Sequence, residues 1–232
     1  MGVVYIKLAQ MLATRNVGSV FTEEDRKMLS SICDNCNPID YIEIEEILQR
    51  EYGTNLENIF RYIEKNPVGS ASVSQVHRAI LNTGEEVAIK VKRKDITKTI
   101  NEDIKRIKKM VHQFGKFVDF NNFAGGDHAL DLYLEWIKQE TDFVHEKENI
   151  KIYQNFADSV NGKVHNTKKI KVPKLYENYC TDNVIVMEFI RTQTINKLEL
   201  TEENKEKITT ALNSYILSSF WALLNDQQIV FH

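Results

Sequence analysis

A lysine within a short apolar stretch is the residue best placed for chemistry in this chain. The stretch VAIK, residues 87–90, follows the alternating stretch SVSQVHRAIL and a turn at 82–84, so the pattern predicts the second strand of a β-hairpin. A lysine on such a strand can bind the phosphates of a nucleotide when an acidic side chain on a later helix orients its ammonium group. Because four common residues also occur together by chance, a surface lysine on an edge strand is the alternative for Lys90.

The stretch ETDFVHEKEN supplies the acidic candidates Glu140, Asp142 and Glu146. On one continuous helix, Asp142 and Glu146 are four residues apart and share a face, whereas Glu140 is rotated from Glu146 by about 120°. One helix could therefore offer Glu146 to Lys90 and Glu140 to a second lysine. The alternative is that all three acids lie on the solvated face of a charged helix.

The composition predicts a folded protein and excludes some classes of partner. The 232 residues are 42% hydrophobic, which is enough to bury a sizeable core in one large domain or two small ones. With 30 Lys and Arg against 33 Asp and Glu, the net charge is −3, so no overall charge attracts the chain to nucleic acid. The longest apolar stretch, residues 215–224, is shorter than the roughly 20 residues that a transmembrane helix needs. We therefore expect no nucleic-acid partner and no transmembrane segment.

The three cysteines, Cys33, Cys36 and Cys180, are too few for a disulfide framework and indicate a reducing, intracellular compartment. Cys33 and Cys36 form a C-x-x-C pattern. A structural zinc site needs four ligands, however, and no second pair lies nearby in the sequence. We therefore expect free thiols and no metal site.

Hydrophobic periodicity predicts that the first sixty-odd residues are all helical. The predicted helices span residues 3–15, 42–52 and 56–64, and one more is predicted to begin at Thr22. The β-hairpin follows, and after it an amphipathic helix whose apolar face consists of Ile96, Ile100, Ile104, Ile107, Val111 and Phe114.

The second half of the chain is predicted to contain long helices and two short strands. One long helix should run through residues 130–156, capped by Asp127. Short β-like runs occupy 169–172 and 183–189, and a last helix should be capped by Thr201.

Five segments, in this order along the chain, resemble the UbiB/AarF/ADCK family of atypical kinases. YIKLAQMLATR is similar to the K-x-G-Q signature of that family, and NPVGSASVSQVHRAIL is similar to its alanine-rich loop and first hairpin strand. The other three are VAIKVKR, ETDFVHEKEN, which matches the family's E-x-D and helix C glutamate, and VPKLYENYCTDNVIVMEFI, which leads into a kinase hinge. The chain departs from the family pattern at Ala9, which replaces the signature glycine, and at Gly69 and Ser70, which open the loop that is usually rich in alanine.

The resemblance implies an α+β, protein-kinase-like fold in three regions. Residues 1–66 would form a helical extension with the signature, 67–190 a kinase N-lobe with inserted helices and the hinge, and 191–232 the first part of the C-lobe. Phe231 and His232 match the beginning of the family's catalytic loop. The catalytic aspartate, the metal-binding asparagine and the D-F-G aspartate would then follow His232, and we expect no catalytic residue within the chain.

The resemblance also implies roles for individual residues. Lys90 would bind the phosphates of the nucleotide, with Glu146 as its helix C partner. The phosphate loop would be formed by Gly69, Ser70, Ala71 and Ser72, and the adenine pocket, where hinge backbone groups pair with the base, by Met187, Glu188 and Phe189. The signature residues would be Lys7 and Gln10, and the E-x-D pair Glu140 and Asp142 would reach Lys7 and the nucleotide-metal site. His77 also matches the family, but we expect a structural histidine and assign it no chemistry.

The function implied by the resemblance is that of an atypical kinase or ATPase. Its cofactors would be ATP and Mg²⁺, and it would support prenyl-quinone (ubiquinone) biosynthesis as an intracellular protein peripheral to a membrane. Lipid or quinone precursors at the membrane surface would be its partners besides the nucleotide. A second hypothesis is a truncated, non-catalytic pseudokinase that binds nucleotide or a partner. A third, a helical scaffold with a chance VAIK, would have to explain five matching segments in the right order.

Overall fold

The computed structural model describes a mixed helix and sheet protein. The described residues are 2–7, 22–25, 28, 37–114, 126–161, 170–192, 199, 201, 204–210 and 212–213. Several sequence predictions therefore lie outside the described residues, namely those on Gln10, Cys33, Cys36, most of the last helix, Phe231 and His232.

The centre of the fold is a five-stranded antiparallel sheet in the order β1-β3-β4-β5, with β2 also paired to β3. The strands are β1 (Phe60–Ile63), β2 (Gly69–Ser70), β3 (Ser74–Leu81), β4 (Glu86–Lys92) and β5 (Val184–Glu188). The predicted hairpin is β3 and β4, whose turn contains Gly84 at φ +104. Only glycine adopts such a φ without strain, which explains why the hairpin closes there.

Among the described residues, four helices of twelve or more residues accompany the sheet. They are α1 (Tyr41–Tyr52), α2 (Ile96–Phe114), α3 (Gly126–Gln139) and α4 (Phe143–Asn161), accompanied by 3-10 turns at Leu56–Asn58 and Glu177–Tyr179. Residues 3–7 and 204–210 are also helical. Two predicted caps are present: the Thr22 hydroxyl accepts from the Asp25 N–H at 3.1 Å, and the Thr201 hydroxyl accepts from the Asn204 N–H at 3.3 Å.

The main core lies between one face of the sheet and α1. Successive residues of β4 point to opposite faces, so Val87, Ile89 and Val91 are buried in the cluster that also contains Ile44 and Ile47 of α1. Full burial of each such side chain contributes about 1.5–3 kcal/mol. Because this alternation commits the three apolar residues to α1, Lys90 faces the other side of the sheet.

A second core docks the N-terminal segment, residues 3–7, onto α2 and α3. The buried residues of this cluster include Val3 and Val4 of the segment, Ile96, Ile100, Ile104 and Ile107 of α2, and Leu134 and Ile137 of α3. The predicted apolar face of α2 is therefore confirmed for the four isoleucines.

The prediction of a helix at 56–64 is wrong. After the 3-10 turn, residues 60–63 form β1 and pair with β3, with Phe60 opposite Leu81 and Ile63 opposite Ala79. Aromatic and β-branched residues suit a strand, and pairing with a strand some twenty residues away is not visible in a local pattern. The sheet thus begins at Phe60, inside the region 1–66 that was expected to be helical.

The single long helix predicted through 130–156 is also wrong, because the chain turns a corner between α3 and α4. The Thr141 hydroxyl donates to the Lys138 carbonyl at 2.7 Å and closes α3. The Asp142 carboxylate accepts from the N–H groups of Val144 at 3.0 Å and His145 at 3.1 Å and caps α4. A side chain that satisfies the first N–H groups of a helix favours a new start over continuation.

The strand predicted at 169–172 does not form at the described residues 170–172, which have no regular structure; the β-structure next to them is an isolated bridge between Leu175 and Met187 of β5. Pro173 lacks the N–H that a ladder needs. The predicted strand at 183–189 is confirmed as β5.

Two buried polar side chains, Gln75 and His77, are both 0% exposed and form a network beside the break between β1 and β2. His77 Nδ1 lies 2.8 Å from the Glu64 carbonyl, and Nε2 lies 3.0 Å from the Gln75 amide nitrogen. Since a carbonyl only accepts, Nδ1 carries the proton, and Nε2 accepts from Gln75. This satisfied network fits the structural role expected for His77.

His77 should make the stability of the protein depend on pH. Burial lowers the pKa of His77 below its usual value, so the unfolded chain binds a proton at a higher pH than the folded one does. The stabilisation is therefore full above about pH 6.5 and is lost as the pH falls further. We expect the free energy of unfolding, measured with urea, to fall more between pH 7 and pH 5 in the wild type than in His77→Asn, which keeps a donor for Glu64. An equal fall of the free energy of unfolding in the two proteins would contradict this role of His77.

Candidate functional site

Lys90 and Glu146 form the ion pair that the sequence predicted. Lys90 Nζ lies 2.5 Å from Oε1 and 2.7 Å from Oε2 of Glu146, although the two residues are 56 apart in the chain. Each side chain is 21% exposed, so the pair is mostly enclosed but still reachable from solvent. Hydrogen bonds between two charged groups are stronger than those between neutral groups.

The local fold explains why this lysine and this glutamate meet. β4 turns Lys90 away from the α1 core, and the Asp142 cap starts α4 at Phe143, which places Glu146 in the first turn. Antiparallel pairing puts Lys90 opposite Ile185 of β5 and opposite Val76 of β3. The pair therefore sits over the middle of the sheet.

The predicted phosphate loop, Gly69, Ser70, Ala71 and Ser72, lies at the same level of the sheet. Gly69 pairs with Val76, which in turn pairs with Lys90, so a straight row of three strands connects the loop to the lysine. A Cβ added to Gly69 would meet nothing within 4 Å. The backbone here borders open space, which is what close approach of a ligand requires.

Arg93 holds this loop in place. Its guanidinium donates to the Ala71 carbonyl at 3.0 Å, to the Ser70 hydroxyl at 2.9 Å and to the Asn37 carbonyl at 2.9 Å. Gln75 adds hydrogen bonds to the N–H and carbonyl of Ile39, at 2.9 Å and 3.1 Å. The loop is thus tied to the segment that precedes α1, a contact that the sequence analysis missed because the partners are backbone groups.

The predicted adenine pocket is placed at the end of β5. Met187 lies opposite Ala88, on the same face of β4 as Lys90. The Glu188 N–H donates to the Lys174 carbonyl at 2.7 Å and the Phe189 N–H to the Glu86 carbonyl at 3.2 Å, so these two N–H groups are engaged within the protein. The Glu188 carboxylate lies 2.5 Å from Lys171, and this hydrogen bond lowers the pKa of Glu188.

A shallow depression of about 550 Å³, open to solvent, borders this region. It is lined by Val68, Phe189, Ile190, Arg191 and Thr192. Val68 and Ile190 were missed by the sequence analysis, although Val68 directly precedes the loop and Ile190 follows the three hinge residues. Their apolar character, next to the predicted phosphate loop and the predicted hinge, was the signal that could have identified them.

Lys7 and Glu140 form the second predicted pair. Lys7 Nζ lies 2.7 Å from Glu140 Oε2, and the Glu140 side chain is only 6% exposed. Lys7 Nζ also lies 5.6 Å from the centroid of the Trp136 ring, and the Tyr133 hydroxyl donates to the Lys7 carbonyl. The N-terminal segment is thereby fastened to α3.

The acids of both pairs line one cavity of about 310 Å³ at the corner between α3 and α4. Glu140, Asp142 and Glu146 form one side, and Trp136 and Ile150 are among its apolar walls. His145, Asn149 and Tyr153 also line it and were missed by the sequence analysis. Asn149 and Tyr153 lie on the face of α4 that carries Glu146, three and seven residues away, which a projection of the helix would have indicated. His145 directly precedes Glu146 in the same turn.

The described part of the chain shows neither a metal cluster nor a membrane span. Among these residues, no three His, Cys, Asp or Glu side chains converge closely enough to hold a metal ion. None of the described helices combines the length and the apolarity needed to cross a bilayer. Asp142, predicted to reach toward a nucleotide-bound metal, uses its carboxylate to cap α4.

Two relatives resemble this chain over most of its length. A probable protein kinase UbiB from Histophilus somni is 32% identical over 209 residues, which cover 88% of this chain and 37% of the relative. The protein ACTIVITY OF BC1 COMPLEX KINASE 7, chloroplastic, from Arabidopsis thaliana is 28% identical over 225 residues, or 94% of this chain and 30% of the relative. The chain thus spans about a third of the length of each of these two relatives.

The fold and the family are consistent with each other. The solved structure of the Rv3197–erythromycin complex from Mycobacterium tuberculosis matches with a TM-score of 0.53 at 24% identity, covering 84% of this chain and 46% of that one, which supports an α+β, kinase-like fold. The family model described as the ABC1 atypical kinase-like domain matches residues 31–231. With that match over most of its residues, the chain belongs to the ABC1 family of atypical kinases, which includes UbiB and the ADCK-like proteins.

Proposed function

We propose that this chain carries the nucleotide-binding site of an atypical kinase or ATPase that uses ATP and Mg²⁺. The observation that carries the proposal is the Lys90–Glu146 pair, placed in one row of the sheet with the loop at Gly69. An ammonium group has three N–H donors, and two of them point to the Glu146 carboxylate. The third can bind a phosphate oxygen while Glu146 orients the ammonium group.

The other residues of the site fit a nucleotide lying between the loop and the hinge. Gly69, Ser70, Ala71 and Ser72 would contact the phosphates, and Met187, Glu188 and Phe189 would contact the adenine. The open space at Gly69 supports the first assignment. The open depression that Phe189 and Ile190 line supports the second, since its apolar side chains offer a surface for the adenine ring.

Support of prenyl-quinone (ubiquinone) biosynthesis is the further part of this proposal. It rests on the family and on the relative named as a probable UbiB kinase. Lipid or quinone precursors would be the partners, at a membrane surface. A small substrate agrees with the geometry, because the segment that carries Lys7 is fastened beside the cavity at Glu146, where it would hinder a protein substrate.

A non-catalytic module that binds nucleotide or a partner is the alternative for the same site. Both functions require nucleotide binding, and only the first requires turnover. The two functions are distinguished by measuring whether the full-length protein, supplied with ATP and Mg²⁺, releases inorganic phosphate. Binding without release would favour the module.

Replacing Lys90 should weaken nucleotide binding. Lys90→Met keeps the aliphatic stem but removes the charge, so we expect the affinity for ATP with Mg²⁺ to fall about tenfold or more, as for loss of a charge-assisted hydrogen bond. Isothermal titration calorimetry measures this. Lys98→Met, at an exposed lysine of α2, is the matched control and should bind as the wild type does. Equal affinities in both variants would overturn the site assignment.

Replacing Glu140 should loosen the N-terminal segment. Glu140→Gln leaves Lys7 without a carboxylate partner in a nearly buried position, and we expect the free energy of unfolding in urea to fall by about 1–3 kcal/mol. The control Glu135→Gln breaks an exposed pair with Lys138 on the same helix and should cost less than about 1 kcal/mol. Faster hydrogen exchange at residues 3–7 in Glu140→Gln alone would identify the segment that is released. Similar costs in the two variants would speak against this anchoring role.

A further inference from the structure

The ring of Phe143 contacts both lysines on the outer face of β4. Lys90 Nζ lies 5.2 Å and Lys92 Nζ 4.8 Å from the centroid of this ring. A cation within about 6 Å of the centroid of an aromatic ring is attracted by the quadrupole of the ring, whose face is partially negative. One aromatic side chain thus holds two ammonium groups that stand two residues apart on the same strand.

Phe143 is itself part of the core. It is 1% exposed and belongs to a cluster with Leu175 and Ile185. Because so little of its surface is exposed, and because it does not line the cavity at Glu146, the ring is not placed to touch a nucleotide. Any effect of Phe143 on nucleotide binding must therefore pass through another residue.

Phe143 and Glu146 hold the same lysine from one turn of α4. They are three residues apart on the helix and lie on neighbouring positions of one face. Glu146 binds the protons of Lys90, while the ring packs against its ammonium group. The anchored ring also keeps the first turn of α4 against the sheet, where Glu146 must remain to reach Lys90.

Lys92 is a second cation near Glu146, and its ammonium has a different hydrogen-bond partner. It lies on the same face of β4 as Lys90, and its ammonium donates to the Asp182 carbonyl at 2.7 Å. Burial lowers the pKa of Lys92. The ring and the Asp182 carbonyl together bind the ammonium group of Lys92. Of the two lysines, Lys90 is therefore the one that pairs with Glu146.

We infer that Phe143 is a positioning residue that sets the Lys90–Glu146 pair and, through it, the affinity for nucleotide phosphates. This inference rests on the proposed function for its effect on nucleotides. Its effect on the ion pair itself does not depend on that function. The two parts can therefore be tested separately.

The first test compares ATP with adenosine, which lacks phosphates. In Phe143→Leu we expect the affinity for ATP to fall about tenfold, the order of one cation–π contact and its ion pair, while the affinity for adenosine stays the same. In a Lys90→Met background, Phe143→Leu should have no further effect on ATP. Leu175→Val trims the same cluster but leaves the ring, and should keep the wild-type ratio of the two affinities. An unchanged ratio in Phe143→Leu, or an equal effect in both backgrounds, would overturn the inference.

The second test needs no nucleotide. The coupling between Lys90→Met and Glu146→Gln is measured by urea unfolding as a double-mutant cycle, once in the wild-type background and once with Phe143→Leu. We expect the coupling to be lost in the second background, and equal coupling in both would overturn the inference. If the Phe143→Leu variant does not fold, the Phe143→Met variant is used in its place. Methionine is close to leucine in volume and also lacks the ring. A wild type that binds ATP no better than adenosine would refute the proposed function, and the cycle would still decide the role of Phe143.

Discussion

The contact between Lys90 and Glu146 is the constraint that organises this structure. A lysine that is mostly enclosed by protein is costly unless a carboxylate lies within hydrogen-bond distance, and the 2.5 Å and 2.7 Å distances meet that need. The contact requires α4 to rest on one face of the sheet while α1 covers the other. The alternation in β4 meets both demands, with apolar residues toward α1 and lysines toward α4.

The corner at Thr141 connects the two ion pairs. Glu140 stands at the end of α3 and reaches back to Lys7, whereas Glu146 stands in the first turn of α4 and reaches Lys90. Asp142 makes the corner by capping α4. The N-terminal segment and the strand that carries the lysine are thereby tied to neighbouring turns, and both contacts border one cavity. A displacement of the N-terminal segment could therefore reach the Lys90–Glu146 pair through the corner between α3 and α4.

Local patterns predicted the elements that are regular over many residues. The isoleucines of α2 repeat every three or four positions, and they are buried as expected. The hairpin β3-β4 was predicted from its alternation and its glycine turn. The helix expected at 56–64 and the unbroken helix expected through 130–156 failed, because β1 forms only when β3 is present to pair with it, and one carboxylate was enough to start a new helix.

The pairs Lys90–Glu146 and Lys7–Glu140 could be predicted from the sequence only by resemblance to a family, since residues 56 and 133 apart give no local signal. The sequence by itself determined the strand that presents Lys90, the amphipathic faces and the identity of the acids. Tertiary structure alone decided that Arg93 bonds the loop at Ala71, that Gln75 bonds the backbone of Ile39, and that Phe143 lies under two lysines. The physical reason is that periodicity reports which side of an element is buried, whereas the partner of a side chain depends on how separate elements pack.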